Sequence, residues 1–279
     1  MKNKLVYQTV SVLGCGWLGL PLAGYFIRQG CIVKGSTTSI DKQTVLSQNK
    51  IIPYLIDFNK GILETVLHDF LQTDVLIVTI PPRSRTQLPG VYLEQMKRLT
   101  LLILQHPGIK QLVYTSSTSV YPDHPGVVKE SDVIDADQAA QVELVQVEQL
   151  FLSLPIVRTT IVRLGGLTGG SRLLARHFAG KKELPEGKYP VNLIHLEDAV
   201  GVIGFVIAKG LAGTFNACSP IHPGKKKFYS ALASRFQLPL PEFNEDDVKE
   251  GKIIDTQKLE EQGYCFLYRD PQSYTYTFD

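Results

Sequence analysis

No strong charge of either sign marks this sequence. Across 279 residues, 29 basic and 27 acidic side chains leave a formal charge of +2. Nucleic-acid binding needs a concentrated basic face, so it is not expected here. The densest basic cluster, Lys225-Lys226-Lys227, follows Pro223-Gly224 and reads as a solvated helix start. Cysteine is scarce as well. Cys15, Cys31, Cys218 and Cys265 show no C-x-x-C and no histidine at metal-ligand spacing, which argues against a disulfide framework or a zinc site. A reducing cytoplasm is the expected setting.

Long unbroken apolar runs are also missing. From Leu5 to Ile27 there is no charge, Lys2 and Lys4 precede the stretch, and Val12-Leu13-Gly14-Cys15 looks like a lipoprotein cleavage site. Gln8, Thr9, Ser11, four glycines and Pro21 nevertheless divide it into short pieces. An export signal keeps an apolar core of about 7–15 residues intact. A buried strand entering a helix explains the same residues better, and no membrane association is expected. There is no internal repeat, no low-complexity segment and no flexible linker.

What is present is an ordinary globular composition, 44% hydrophobic and 20% charged, enough to bury a core. Short runs rich in Val, Ile and Leu occur at Thr9–Leu13, Ile32–Lys34, Ile51–Ile56, Val75–Ile80 and Leu112–Thr115. They show little polar alternation, the pattern of strands covered on both faces. Between them Trp17–Gln29, Ser39–Gln48, Gly61–Leu71 and Val91–Gln105 have helical length and spacing. Strands alternating with helices predict βαβ units and a doubly wound parallel sheet of α/β class. A polar loop from Pro122 to Ala136 follows, then a helix over Ala139–Leu152 and a strand over Thr160–Leu164. Further on, a helix is expected at Glu197–Ala208, a strand at Thr214–Ala217 and a helix at Lys225–Phe236. This divides the chain into a core over 1–164 and a smaller, packed C-terminal substrate lobe over 165–279, with segments from about 193–217 returning to the core.

Directly after the first strand stands Gly14-Cys15-Gly16-Trp17-Leu18-Gly19, a G-x-G-x-x-G opening a helix. The first glycine allows a tight turn and the second lets the backbone approach a pyrophosphate. The third lets helix and strand pack closely, and the helix start presents its partial positive charge to the diphosphate. In this strand–loop–helix context the motif predicts a Rossmann dinucleotide site. An acid at the end of the second strand would bind a ribose 2′-hydroxyl and select NAD. Here the residues are Lys34-Gly35-Ser36-Thr37-Thr38-Ser39, with no acid before Asp41. Ser36, Thr37 and Thr38, with Lys34 or Lys42 as a nearby cation, suit a 2′-phosphate, so NADP is expected in preference to NAD. Ser39 or Thr38 would also cap the next helix. Asp57, after the third strand, suits the adenine end of the site and equally suits a turn or cap. Pro81, after the fourth strand, is expected to line the same site.

Three segments then carry a resemblance. The glycine loop, Tyr114-Thr115-Ser116-Ser117-Thr118-Ser119-Val120-Tyr121, and Asn192-Leu193-Ile194-His195-Leu196-Glu197-Asp198-Ala199 occur in order across essentially the whole chain. Together with Arg163–Gly169 and Gly213–Asn216, they resemble the extended short-chain dehydrogenase/reductases, the NAD(P)-dependent epimerase/dehydratase superfamily. The resemblance implies that Ser117 hydrogen-bonds the reacting oxygen of a substrate. It also implies a Tyr-x-x-x-Lys acid/base pair, and that pair is missing. None of the twelve tyrosines has a lysine four positions later. Alignment of the helix around Glu148-Gln149-Leu150 puts Ala140 and Leu144 at the two places. The chain therefore looks like an atypical branch of the superfamily. Tyr121 is the candidate substitute acid/base, with a packing role as its alternative, and Glu143 is a weaker candidate.

An anionic small-molecule substrate is suggested by Arg83 and Arg85 in Pro81-Pro82-Arg83-Ser84-Arg85, at the sheet edge where ligands of open α/β folds bind. Arg172 matches a position that often faces substrate in nucleotide-sugar enzymes. His195 is expected to tie its loop to the following helix. The resemblance further suggests a homodimer through Val91–Gln105 and Ala139–Leu152, where Val142, Val145 and Leu150 can pack either way. Two functions are consistent with all of this. One is an NADP-binding oxidoreductase or epimerase-like enzyme acting on a sugar or nucleotide-sugar by an altered mechanism. The other is a non-catalytic NADP(H)-binding sensor or partner-binding module.

Overall fold

The computed structural model describes residues 7–60, 64–82, 88–132, 134, 141–247 and 249–277. In chain order the elements are β1 (Thr9–Leu13), α1 (Gly19–Arg28), β2 (Ile32–Thr37), α2 (Ile40–Gln48), β3 (Ile52–Leu55), α3 (Glu64–Leu71), β4 (Val75–Val78), α4 (Val91–Leu104) and β5 (Gln111–Ser117). There follow β6 (Gly126–Val128), α5 (Val142–Leu152), β7 (Arg158–Leu164), β8 (Gly166–Thr168), β9 (Leu193–His195), α6 (Leu196–Lys209), β10 (Gly213–Ala217), α7 (Lys225–Arg235), β11 (Lys252–Ile254) and α8 (Gln257–Glu261). Seven strands form one parallel sheet in the order β10-β7-β5-β4-β1-β2-β3. The doubly wound α/β reading of the sequence is therefore correct. The order reverses at β1 and β4, the switch point at which open sheets of this kind bind ligands beyond the strand carboxyl ends.

The chain forms two compact units. The first comprises Met1–Ser116, Gln141–Val162 and Val200–Thr214; the second comprises Ser117–Ala140, Arg163–Ala199 and Phe215–Asp279. In the first unit, all four residues of β4 are buried, with Val10 and Val12 of β1 and Leu112 and Val113 of β5 beside them. α1 buries Leu22, Ala23 and Phe26, one helical face. Pro21 is tolerated there because it sits in the first turn, where its missing N–H has no helical partner to lose.

Two sequence expectations need correction in this sheet. β3 is an edge strand with Ile52 and Leu55 exposed, so it is not covered on both faces. β2 runs three residues past Lys34, through Gly35-Ser36-Thr37, which apolar counting could not recognise. Those small residues are buried because they serve the neighbouring loop, as described below.

In the second unit the core gathers Leu173, Val191, Leu193, Phe228, Leu232, Phe243 and Tyr274. Two small parallel sheets, β6 with β11 and β8 with β9, order its loops. β6 lies inside the stretch read as a polar loop. Gly126-Val127-Val128 is too short to show a period and becomes a strand only by pairing with Lys252–Ile254. Among the described residues, no helix is long and apolar enough to cross a membrane.

Candidate functional site

A cavity of about 220 Å³ opens in the first unit beside the β1–α1 loop. Its lining includes Gly14, Cys15, Gly16, Ser36, Thr37, Thr38, Lys42, Asp57, Asn59, Ile80, Pro81, Tyr92 and Gln95. Sequence reasoning named seven of the candidate cofactor residues found here: Gly14, Gly16, Ser36, Thr37, Thr38, Asp57 and Pro81. It missed Asn59, Tyr92 and Gln95, which carry no local motif.

The glycines behave as three different devices. Gly14 has φ +106, and a Cβ there would stand 2.7 Å from Ile80 Cγ2. Gly19 lets α1 approach β1; a Cβ would stand 2.1 Å from the Gly14 carbonyl oxygen. At Gly16 a Cβ would meet nothing within 4 Å, so this glycine is not required by the fold around it. Open space over the middle glycine is what a pyrophosphate needs. Trp17, half-buried, and Leu18, buried, do not line the cavity with side chains. Trp17, Leu18 and Gly19 contribute the backbone at the start of α1, and the positive end of a helix dipole suits an anion.

The end of β2 is more specialised than expected. The Ser36 hydroxyl accepts the Gly14 N–H at 2.8 Å, and the Ser36 carbonyl accepts the Cys15 N–H at 2.8 Å. Ser36 thus holds the glycine turn. Thr37 Oγ1 accepts the Ser39 N–H at 3.2 Å, and Ser39 makes no side-chain cap, so the capping expected of Ser39 or Thr38 is absent. Thr38 is exposed and lines the cavity together with Lys42. Lys34 is turned elsewhere, to the Asp69 and Gln72 carbonyls at the end of α3 and to the Asp69 carboxylate at 3.6 Å. Of the two lysines, Lys42 is the cation of the cavity.

Asp57 makes the turn foreseen as one of its two roles and stands at the cavity wall. Its Oδ1 accepts the Asn59 N–H and Nδ2, each at 3.1 Å. Gln95 Nε2 donates to Asn59 Oδ1 at 3.0 Å, fixing that wall to α4. Burial pushes the Cys15 thiol up to about 12, so it stays protonated and inert.

In the second unit Ser117 closes β5. Its Oγ accepts the Ser119 N–H at 3.1 Å and the Ser119 hydroxyl at 2.9 Å. With both lone pairs engaged, the Ser117 proton is the part of that hydroxyl left to donate. Tyr121 is placed differently from a reachable acid. It is 1% exposed, Arg163 Nη1 donates to its oxygen at 2.8 Å, and its proton goes to Asn216 Oδ1 at 2.8 Å. Burial pushes its pKa up and makes it a weaker acid, against the opposing pull of Arg163. Its hydroxyl is enclosed by this network rather than presented at a surface.

Glu143 Oε1 accepts the Leu93 N–H at 3.1 Å and so caps α4. Leu144 is buried, while Ala140 lies outside the described residues. Arg83 and Arg85 also lie outside the described residues. Arg172 is exposed on a tight turn: its backbone N–H and carbonyl exchange bonds with Gly169, and its carbonyl accepts from Thr168 Oγ1 at 2.9 Å. On α5, Val145 is buried, Leu150 half-buried and Val142 exposed.

His195 ties its loop to α6 as expected. Nδ1 accepts the Glu197 N–H at 3.3 Å, so Nε2 carries the proton and donates to the Thr275 carbonyl at 2.9 Å. Asp198 accepts from Tyr264 Oη and from the N–H groups of Leu267 and Tyr268, at 2.8–3.0 Å. Both motif residues are thereby assigned to holding the C-terminal segment.

No protein-family model matches the chain. Over 269 residues it is 35% identical to Protein YeeZ of Escherichia coli strain K12, covering 95% of this chain and 97% of that one. A putative NAD-dependent epimerase/dehydratase from Methylobacillus flagellatus has a similar structure, with a TM-score of 0.74 at 19% identity and 94% of each chain covered. UDP-glucose-4-epimerase from Stenotrophomonas maltophila, with bound NAD and formylated UDP-arabinopyranose, gives 0.75 at 16% identity, covering 96% of this chain and 95% of that one. At such identities the likeness is one of fold.

Proposed function

The chain belongs to the family of Protein YeeZ and has the fold of the extended short-chain dehydrogenase/reductases, and from that premise we propose that it is an NADP-dependent oxidoreductase or epimerase-type enzyme acting on a small molecule. The observation that carries the cofactor reading is the cavity itself. It combines a glycine turn with open space over Gly16 and a ribose end built from Thr37, Thr38 and Lys42, with no carboxylate at the end of β2. An ammonium and hydroxyls recognise a 2′-phosphate, whereas NAD recognition uses an acid there.

When bound, the nicotinamide supplies or accepts a hydride. The remaining work falls to the chain. Ser117 donates its proton to the reacting oxygen of the substrate, and Arg172, with Arg83 and Arg85, attracts an anionic substrate. The nucleotide-sugar ligand of the Stenotrophomonas enzyme supports a sugar or nucleotide-sugar as that substrate. The mechanism departs from the superfamily pattern, because the Tyr-x-x-x-Lys pair is missing and Leu144 fills one of its places with a packed side chain. With Tyr121 enclosed, the proton for the reacting oxygen then comes from water.

A second reading, a non-catalytic NADP(H)-binding sensor or partner-binding module, is favoured by one specific observation. Each residue that would replace the lost pair is already engaged: Tyr121 by Arg163 and Asn216, Glu143 by the start of α4.

Titration with NADPH and NADH, followed by quenching of the single tryptophan, Trp17, tests the cofactor reading. Wild-type protein is expected to bind NADPH the more tightly. Lys42→Ala should weaken NADPH by about tenfold, as for loss of one charge-assisted contact, and leave NADH unchanged. A wild-type preference for NADH would overturn the 2′-phosphate assignment.

A further inference from the structure

We infer that Tyr92 is a positioning residue of the dinucleotide cavity, a latch that holds the backbone wall at Ile80 against the glycine turn. The inference rests on the dinucleotide reading above. Tyr92 stands in the first turn of α4, is 2% exposed and lines the cavity. Its hydroxyl donates to the Ile80 carbonyl at 2.8 Å and lies 3.0 Å from the Tyr114 hydroxyl. A carbonyl can only accept, so the proton between the two phenols must be that of Tyr114. The order is fixed as Tyr114 to Tyr92 to Ile80. Burial raises both phenols, which keeps both protonated and the relay intact.

Ile80 is the residue that the glycine turn presses on. A Cβ on Gly14 would stand 2.7 Å from Ile80 Cγ2 and 3.2 Å from its backbone nitrogen. Thr79, immediately before it, donates its hydroxyl to the Gly14 carbonyl at 2.6 Å. The phosphate-binding turn is therefore seated on Thr79 and Ile80, and Ile80 is held by Tyr92. α4 in turn is fixed at its start by the Glu143 cap on Leu93. Thr79, Ile80, Tyr92 and Glu143 lie outside the glycine motif, yet each helps set where that motif stands.

The two phenols make a matched test, because each substitution by phenylalanine removes one buried hydroxyl from the same pair. Only Tyr92→Phe breaks the bond to Ile80. Binding of NADPH and of NADH and the melting temperature would be measured for wild type, Tyr92→Phe and Tyr114→Phe. The latch predicts a loss of melting temperature in both variants, the larger in Tyr92→Phe, which removes two buried bonds where Tyr114→Phe removes one. It predicts about tenfold weaker binding of both dinucleotides in Tyr92→Phe, with the ratio between them unchanged, and less than about a twofold change in Tyr114→Phe. Equal affinities in all three proteins, or equal weakening in both variants, would overturn the latch alone. Wild-type protein that binds neither dinucleotide would instead bring down the dinucleotide reading, and the latch with it.

Discussion

Gly16 and Gly19 occupy one motif and answer to different demands. An added Cβ at Gly16 meets open space, whereas at Gly19 it would press on the Gly14 carbonyl. Gly16→Val should leave stability within about 0.5 kcal/mol, as for an exposed substitution, while abolishing dinucleotide binding by filling the space a pyrophosphate needs. Gly19→Ala should cost about 1–3 kcal/mol through overpacking. Urea unfolding beside nucleotide titration separates the two, and a folded Gly16→Val protein that binds like wild type would remove the glycine loop from the site. The loop was legible because its spacing is dictated by backbone geometry, which the sequence displays directly. Choosing Lys42 over Lys34 was not legible. Lys34 is withdrawn by Asp69 and Gln72, residues 35 and 38 positions away, which no local pattern announces.

Among the elements, the main strands and helices were legible because each buries a continuous apolar run or face. β6 and β11 were not, since each is three residues long and ordered by partners distant in sequence, each other and, for β11, the Asn192 side chain. One carboxylate serves three strands of the main sheet. Asp74, just before β4, accepts the N–H groups of Gln8 and Thr9, the Thr9 hydroxyl and the Lys110 ammonium at 2.7–3.1 Å, joining the starts of β1 and β5. Burial pushes its carboxyl up, but these donors together outweigh it and hold the group at about 2, against an ordinary 3.8. A depressed carboxylate contributes stability above its unfolded value and loses it as pH falls toward the folded one. Wild type should therefore exceed Asp74→Asn by about 2 kcal/mol at neutral pH, with the gap closing as pH falls from about 4 to 2. A gap that does not change with pH in urea unfolding would assign the effect to packing instead.

For the whole molecule, the order of the three family segments was legible, but the work of each residue was not. His195 and Asp198 belong to a recognisable motif, yet their partners, Thr275 and Tyr264 to Tyr268, lie more than sixty residues on. Tyr121 likewise reads as a candidate acid until Arg163 and Asn216 enclose it, brought there by folding alone. Ser117 and Tyr121 should consequently part ways in solution. NADPH oxidation against a panel of sugars and nucleotide-sugars would identify a substrate. With it, Ser117→Ala should lower kcat by about a hundredfold, the scale of losing one donor to a developing oxyanion, with NADPH affinity unchanged. Tyr121→Phe should leave kcat per folded molecule within about twofold, yet cost about 1–3 kcal/mol of stability, because Arg163 and Asn216 lose a buried partner. Loss of kcat in Tyr121→Phe with stability retained would return the phenol to the reaction. Tight NADPH binding with no oxidation across the whole panel would favour the sensor, since Ser117 would then have no reacting oxygen to serve.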